Sequence, residues 1–283
     1  MTKEDGAFGD RWGTLNWSKW IGLDAPLEEY REHISTLPGF YRVKAVGYPT
    51  LIYVGETGRG LRERIRSLAS NANRPRNDPP WNDPHTAAPL LWAYRLEEDF
   101  QFEVSAAIAQ LDYQTRQCQE DALLYLHRLE HDKSTLCNHG RLHPWWTRPT
   151  NRKKDIPTQR RESPVAYPSL PSVSGDSGVL SAKWLNLEWS EFLSIADACT
   201  HGPGVYRIRH DNEILYFGES ENLSERLKTH TKDKRFSDCH VSFHNISNVL
   251  PHQLKKRETD LIGAYFLVTA KPPVLQYVTA RTS

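Results

Sequence analysis

The sequence predicts an α+β fold built from two small modules in one chain. Two motifs support this expectation because each occurs twice. TLIYVGETGRGLRERIRSL from Thr50 returns as EILYFGESENLSERLKTH from Glu213, and PGFYRV from Pro38 returns as PGVYRI from Pro203. Between the copies lies a segment rich in Pro, Ser and charged residues that shows no helical or strand periodicity. We therefore expect three parts: a first module at 1–146, a linker at 147–181 and a second module at 182–283.

Each copy predicts the same order of elements: strand, strand, helix, strand and helix. The two motifs are rich in Val, Ile, Tyr and Phe and are separated by a turn, which is typical of a β-hairpin. GLRERIRSL and NLSERLKTH then carry apolar residues at helical spacing. We expect each module to be a three-stranded, mainly antiparallel sheet packed with helices.

The remainder of each copy supplies a third strand and a last helix. FEVSAAIA from Phe102 and CHVSFHNI from Cys239 are the candidate strands. QTRQCQEDALLYLHRL from Gln114 and QLKKRETDLIGAYFL from Gln253 are the candidate helices. An insertion at 69–95 accounts for most of the extra length of the first copy.

Composition narrows the class of protein. The 283 residues are 38% hydrophobic and 25% charged, which suits two globular domains. The cysteines form no Cys-x-x-Cys pair, the start lacks a signal-peptide pattern, and no apolar run reaches the roughly 18 residues that span a bilayer. We therefore expect a cytoplasmic protein without a membrane partner. The net charge is +1, but 141–161 holds seven Arg and Lys against one Asp, which favours a partner with phosphates.

Each copy also supplies the residue types that phosphodiester hydrolysis needs. A carboxylate holds a hard divalent cation, a guanidinium neutralises phosphate charge, and a phenol takes or passes a proton. The candidates are Tyr41, Tyr53, Arg64 and Glu120 in the first copy and Tyr206, Tyr216, Arg226 and Glu258 in the second. These are also ordinary structural residues, and on their own they favour a structural explanation.

In their order and spacing, the candidates resemble the GIY-YIG nuclease superfamily. The tripeptides are Gly39-Phe40-Tyr41 with Tyr53-Val54-Gly55 and Gly204-Val205-Tyr206 with Tyr216-Phe217-Gly218. The resemblance covers 37–140 and 202–277. It implies an endonuclease that acts on DNA with Mg²⁺ or Mn²⁺ as cofactor, and two modules on one chain would form an internal pseudo-dimer that cuts both strands.

The resemblance also implies a role for each candidate. The first tyrosine of each pair would take a proton from water, assisted by the second, and the arginine would hold the scissile phosphate. Glu120 and Glu258 would bind the metal, with Glu130 as the alternative to Glu120. Because a phenol has a pKa of about 10, a nearby cation or hydrogen-bond donor has to assist it.

The two copies depart from the superfamily pattern in different ways. The first keeps a late asparagine, Asn138, but has Leu68 where many members have a histidine four residues after the arginine. The second keeps that histidine, His230, but has Gln276 in place of the asparagine, a mild change because the amide is the same. Asn138 and His230 complete the catalytic candidates. His85 in the insertion is an alternative source of the missing imidazole, although a histidine in a turn is the plainer interpretation.

The segment after the first copy interleaves basic and aromatic residues, which can contact phosphates and stack on bases. The nucleic-acid-binding candidates are Arg141, Trp145, Arg148, Arg152, Lys153 and Lys154. The alternative is a solvated linker whose two tryptophans pack back on the domain.

The leading hypothesis is a metal-dependent DNA endonuclease with a role in restriction, phage defence or repair. The alternative is a nucleic-acid-binding protein in which one or both modules have lost catalysis. Convergence of the tyrosines, the arginine and the glutamate around one metal position would separate the two. The sequence does not determine whether the chain has a protein partner or forms a homo-oligomer.

Overall fold

The computed structural model describes three stretches of the chain, 6–80, 87–147 and 160–278. The chain divides into two compact units, Met1–Asp112 with Lys133–Ser169 and Tyr113–Asp132 with Leu170–Ser283. This division differs from the expected boundaries at 113–132, which we placed in the first module. Antiparallel sheets and helices occur in both units, which agrees with the predicted α+β class.

The first unit is centred on an antiparallel sheet. Its described elements are β1 Arg11–Trp12, β2 Leu15–Asn16, β3 Ile21–Gly22, α1 Leu27–His33, β4 Gly39–Ala45, β5 Leu51–Thr57, α2 Leu61–Ala72, α3 Ala88–Glu98 and β6 Phe102–Ile108. The sheet has the order β3-β6-β4-β5, and β1 pairs separately with β2.

The second unit repeats this sheet. Its described elements are α4 Tyr113–His131, β7 Leu193–Ser194, β8 Gly204–His210, β9 Glu213–Ser220, α5 Leu223–His230, β10 His240–Asn245 and α6 Pro251–Thr269. The strands form an antiparallel sheet in the order β7-β10-β8-β9. Within the described residues, no helix is long and apolar enough to cross a membrane.

The order of the main elements agrees with the prediction, but in the part of the chain that the structure describes, the main sheet of each unit has four strands and not three. The additional strands, β3 and β7, are two residues long and pair with the predicted third strands, as Ile21 does with Val104. Two residues are too few to show a period, so the sequence carries no signal for them. The predicted insertion at 69–95 overlaps the end of α2 and most of α3.

The sheet of the second unit is covered on both faces because its strands alternate apolar side chains. On one face, Tyr206 and Ile208 of β8 pack with Leu227 of α5. On the other face, Val205 and Phe217 join a cluster that includes residues of α6 and α4. The two tyrosines of the motif therefore share a face with the helix that follows them.

Helix α4 belongs to the second unit because it packs along α6. Cys118 of α4 and Leu261 of α6 lie in one buried cluster. The two helices approach closely at Gly263, where a Cβ would lie 2.6 Å from a main-chain oxygen of α4. A buried ion pair joins Arg128 Nε to Asp260 Oδ1 at 2.7 Å.

Each copy also buries an arginine against a tryptophan, which accounts for the tryptophan shared by LNWSKW from Leu15 and LEWSEF from Leu187. The Arg42 guanidinium lies 4.3 Å from the ring centre of Trp17, and that of Arg207 lies 4.3 Å from Trp189. Both arginines are fully buried and donate to two main-chain carbonyls of the preceding segment. The two copies therefore share internal contacts as well as motifs.

Part of the predicted linker packs on the units. Arg160 Nη2 lies 3.0 Å from Glu97 Oε2 of α3 in the first unit. In the second unit, the carbonyl of Val173 accepts a hydrogen bond from Tyr125 Oη at 2.8 Å. Residues 160–181 of the predicted linker therefore contact the folded units.

Candidate active site

The hairpin of the second unit places two tyrosines side by side. Tyr206 of β8 and Tyr216 of β9 have ring centres 6.1 Å apart. Gly218 lies opposite Tyr206 in the antiparallel pair. A Cβ at that position would lie 2.3 Å from the Tyr206 hydroxyl oxygen and 2.4 Å from Cζ. Glycine is required there because the Tyr206 ring lies directly over the backbone of the neighbouring strand.

Helix α5 supplies two hydrogen-bond partners for Tyr206. Arg226 Nε donates to the hydroxyl oxygen at 3.0 Å, and His230 Nε2 lies 2.8 Å from the same oxygen. Because arginine only donates, the phenolic proton is directed to His230 Nε2. Burial, with the charge of Arg226, lowers the pKa of His230 to about 4. The imidazole is therefore neutral at pH 7 and accepts this proton.

The two phenols differ in their access to solvent. Tyr206 is fully buried, whereas Tyr216 is partly exposed. Burial raises the pKa of both phenols, and for Tyr216 a hydrogen bond donated by Arg226 and a hydrogen bond with Tyr206 oppose this rise. A cavity of about 780 Å³ opens beside them, and its lining includes Tyr216, Arg226, His230, Phe236, Glu258 and Tyr277. Of the two tyrosines of the motif, Tyr216 is thus the one that faces the cavity.

Glu258 brings a carboxylate from α6 into the same cavity. Burial raises its pKa to about 8, and the negative charges of Glu219 and Asp121 add to this effect. Arg226 and Lys255 oppose it. The Tyr, Arg and Glu candidates of the second copy therefore converge.

Two residues beside Glu258 were not predicted. Tyr277 Oη donates to Asp121 Oδ2 at 2.5 Å, and Tyr277 has a left-handed backbone with φ of 59°. Burial raises the pKa of Asp121 to about 7. Asp121 directly follows Glu120 on α4. The sequence therefore predicted the correct helix but not the helix face that contacts Tyr277.

A basic edge of the cavity was also missed. Lys232, Lys234 and Arg235 are exposed and line it. They follow α5 in the sequence TKDKRF, whose Phe236 packs edge-on against His230 at 4.6 Å between ring centres. Three cations within four residues are a sequence signal for a basic surface, but the longer basic run at 141–161 was the stronger candidate.

The first unit repeats the tyrosine pair but has a leucine where the second unit has His230. Tyr41 and Tyr53 have ring centres 5.9 Å apart, and a Cβ on Gly55 would lie 2.8 Å from the Tyr41 oxygen. Leu68 is fully buried in the hydrophobic cluster that contains both tyrosines. Arg64 lies on α2 and is partly exposed. An apolar side chain thus takes the place of the second copy's histidine.

Glu120 is placed differently from its counterpart Glu258. It lies on α4, is partly exposed, and belongs by the division of the chain to the second unit. Tyr41, Tyr53 and Arg64 belong to the first unit. The alternative residue Glu130 lies on the same helix, and His85 lies outside the described residues.

The late amides have matching contacts in the two copies. Asn138 Oδ1 accepts from the main-chain N–H of Val54 at 3.1 Å, and Gln276 Oε1 accepts from that of Phe217 at 3.0 Å. Both main-chain groups follow the second tyrosine of the motif. In both copies, therefore, the amide fixes the strand that carries this tyrosine, and the change from Asn to Gln preserves the contact.

The described part of the basic segment is used for packing. Arg141 donates to the carbonyl of Thr135, and burial lowers its pKa. Trp145 lies under the Arg160 guanidinium at 4.3 Å, and Trp146 packs on Trp92 at 4.9 Å between ring centres. The other nucleic-acid-binding candidates lie outside the described residues: Arg148, Arg152, Lys153 and Lys154.

The second unit is thus a small antiparallel α+β domain in which phenol, guanidinium, imidazole and carboxylate groups meet in one cavity, a composition suited to phosphate chemistry. Residues 202–264 match the family model of the GIY-YIG catalytic domain. The match contains Tyr206, Tyr216, Arg226, His230 and Glu258, and it points to an endonuclease. It does not extend to the first copy. No curated protein and no solved structure matches the chain.

Proposed function

We propose that the chain is a metal-dependent endonuclease that hydrolyses DNA and that its second unit carries the active site. The observation that supports this most strongly is the convergence of Tyr216, Arg226 and Glu258 on one cavity, with the Tyr206–His230 hydrogen bond behind them. Partners of opposite sign and perturbed pKa values in one cleft are typical of catalytic sites. The role we propose is restriction, phage defence or repair. The location we propose is the cytoplasm, where the free cysteines would stay reduced.

Glu258 would hold the cofactor, Mg²⁺ or Mn²⁺. Its pKa is raised by burial and by two nearby carboxylates, so a cation in the cavity would relieve this cost. The described residues contain no group of three or more His, Cys, Asp and Glu side chains that could hold a metal. One carboxylate suits magnesium, because this ion keeps several waters and also binds substrate phosphate. When bound, the ion supplies charge stabilisation at the phosphate.

The residues around the two tyrosines form a path for the proton that the attacking water loses. Tyr216 faces the cavity and is hydrogen-bonded to Tyr206, whose own proton points to His230. His230 is neutral at pH 7 and can accept the proton at the end of this path, and its lowered pKa means that it holds the proton only transiently. Arg226 donates to the Tyr206 oxygen through Nε and also to Tyr216, and its other N–H groups would bind a phosphate in the cavity.

We further propose that the first unit does not cleave DNA. Its tyrosine pair is packed in one cluster with Leu68, and this apolar side chain stands in place of His230, the imidazole at the end of the proton path in the second unit. In place of the pseudo-dimer of two catalytic modules, we therefore propose one catalytic unit and one diverged, non-catalytic copy. A single cut per binding event is the expected outcome.

The test is cleavage of supercoiled plasmid in magnesium by the full chain. We expect Glu258→Gln and Tyr216→Phe to abolish cutting and Glu120→Gln, the matched variant on α4, to retain it. If each glutamate variant converts a double-strand cut to a nick, the pseudo-dimer is correct. A wild type that binds DNA but cleaves no DNA substrate would contradict the proposal and support the non-catalytic alternative.

A further inference from the structure

The loop after α5 gives the cavity a row of exposed cations. Lys232, Lys234 and Arg235 lie within four residues, line the cavity and are exposed to solvent. Arg226 lines the same cavity from α5, while Asp233 and Glu258 are the carboxylates in its lining. The side of the cavity that this loop forms therefore carries a net positive charge.

This loop is held firmly against the tyrosine and histidine of the site. Phe236 is buried and packs edge-on against His230 at 4.6 Å and against Tyr216 at 5.9 Å between ring centres. The loop backbone is closed by hydrogen bonds from Asp233 N to the carbonyl of His230 and from Phe236 N to that of Asp233, both at 3.0 Å. The cations are thus carried by an element with a fixed position relative to the catalytic candidates.

Within the loop, the cations are not equivalent. Arg235 is neutralised by Asp233, which accepts from Nη2 at 2.6 Å and from Nε at 3.1 Å. Lys232 and Lys234 form no ion pair with any described residue. By contrast, Lys228 on the preceding helix is paired with Glu225 at 3.0 Å and does not line the cavity. Among the described residues, these two lysine charges have no ion-pair partner, and the phosphates of a nucleic-acid strand carry the opposite charge.

We propose that Lys232 and Lys234 bind backbone phosphates next to the one that Arg226 would hold. The loop then positions the nucleic-acid strand across the cavity. Asp233 fixes Arg235 as part of the loop's structure, so we assign Arg235 to loop geometry and the two lysines to phosphate binding. The identity of the strand as DNA rests on the proposed function, whereas the assignment of the two lysines rests on the loop.

The experiment is a salt titration of DNA binding with the full chain. Binding of a fluorescent 30-base-pair duplex is followed by anisotropy between about 50 and 200 mM salt, with EDTA to prevent cleavage. Each phosphate contact adds about 0.9 to the slope of log K against log salt. We expect Lys232→Gln/Lys234→Gln to reduce that slope by about two and to weaken binding by about fivefold or more per lysine at 100 mM salt.

Lys228→Gln is the matched control, because it removes an exposed lysine four residues away that lies outside the cavity lining. Its slope should equal that of the wild type. An unchanged slope in the double variant, or an equal loss in the control, would overturn the assignment. A wild type that binds DNA without cutting it, and loses slope in the double variant, would keep the assignment and overturn the nuclease proposal. A wild type that binds no DNA would overturn both.

Discussion

Adding one methyl group at Gly218 tests the geometry of the site directly. The Cβ of Gly218→Ala would lie 2.3 Å from the Tyr206 oxygen, 2.4 Å from Cζ and 2.8 Å from Cε1. Tyr206 is fully buried, so its ring has no free space to move into. Overpacking costs about 1–3 kcal/mol, and a displaced hydroxyl that loses Arg226 and His230 costs about 1–3 kcal/mol more. Alanine recovers only about 0.5–1 kcal/mol of backbone entropy.

The expected net loss of stability in the second unit is therefore roughly 1–5 kcal/mol. Plasmid cleavage per folded molecule should fall by about 10² or more, because displacement disrupts the proton path. Gly55→Ala is the matched control: its Cβ would lie 2.5 Å from Tyr53 Cε1 and 2.7 Å from Tyr41 Cζ.

The control should cost a similar amount of stability in urea unfolding but leave cleavage unchanged. Equal loss of cleavage in the two variants would refute the assignment of catalysis to the second unit. Full activity of Gly218→Ala would refute the role of the Tyr206 hydrogen bonds.

Three further substitutions probe the same unit. His230→Leu, which copies the residue of the first repeat, should lower plasmid cleavage by about 10² or more because Tyr206 loses its proton acceptor; unchanged cleavage would contradict the proton path. The pKa of Glu258 is raised from 4.5 to about 8, so the folded state binds this proton more tightly and stability falls as pH rises through that interval, by up to about 1.4 kcal/mol per pH unit. Urea unfolding of metal-free Glu258→Gln between pH 5 and 8 should show a smaller decline than the wild type, and an identical decline would exclude this cause. Tyr277→Phe should cost about 1–3 kcal/mol in the same assay, and less when Asp121→Asn is already present; additive losses would mean that the two groups are uncoupled.

The sequence predicted the elements that carry a period or a repeated motif. The hairpins, α5 and α6 follow from β-rich runs and helical spacing, and the tyrosine pair follows from the two tripeptides. The two-residue strands β3 and β7 were missed because pairing at a sheet edge leaves no local pattern. The burial of Arg42 and Arg207 was not predicted, because a charged residue in a strand is normally expected at a solvent-exposed position. The tryptophans against which they stack are distant in sequence.

The partner of a helix is less predictable than the helix itself. QTRQCQEDALLYLHRL correctly indicated α4, but its apolar face packs along α6 in the second unit. Asp121, whose side chain receives the Tyr277 hydroxyl, was therefore not a candidate, although its neighbour Glu120 was. Adjacent residues of a helix point about 100° apart, so the contact a position makes depends on which partner the helix has.

The two copies share some internal contacts and differ in others, and this difference bears on which copy we expect to cleave DNA. The amide contact that fixes the second tyrosine's strand is present in both, through Asn138 at 3.1 Å and Gln276 at 3.0 Å. The buried arginine on its tryptophan is also present in both, with the same 4.3 Å separation. The histidine that contacts the first tyrosine of the second copy is His230, and the first copy has the apolar Leu68 at that position. Contacts that hold the sheet together are thus common to the copies, while the contact that we propose to move a proton belongs to the second copy. The first copy is therefore expected to fold as the second does and to differ from it in chemistry.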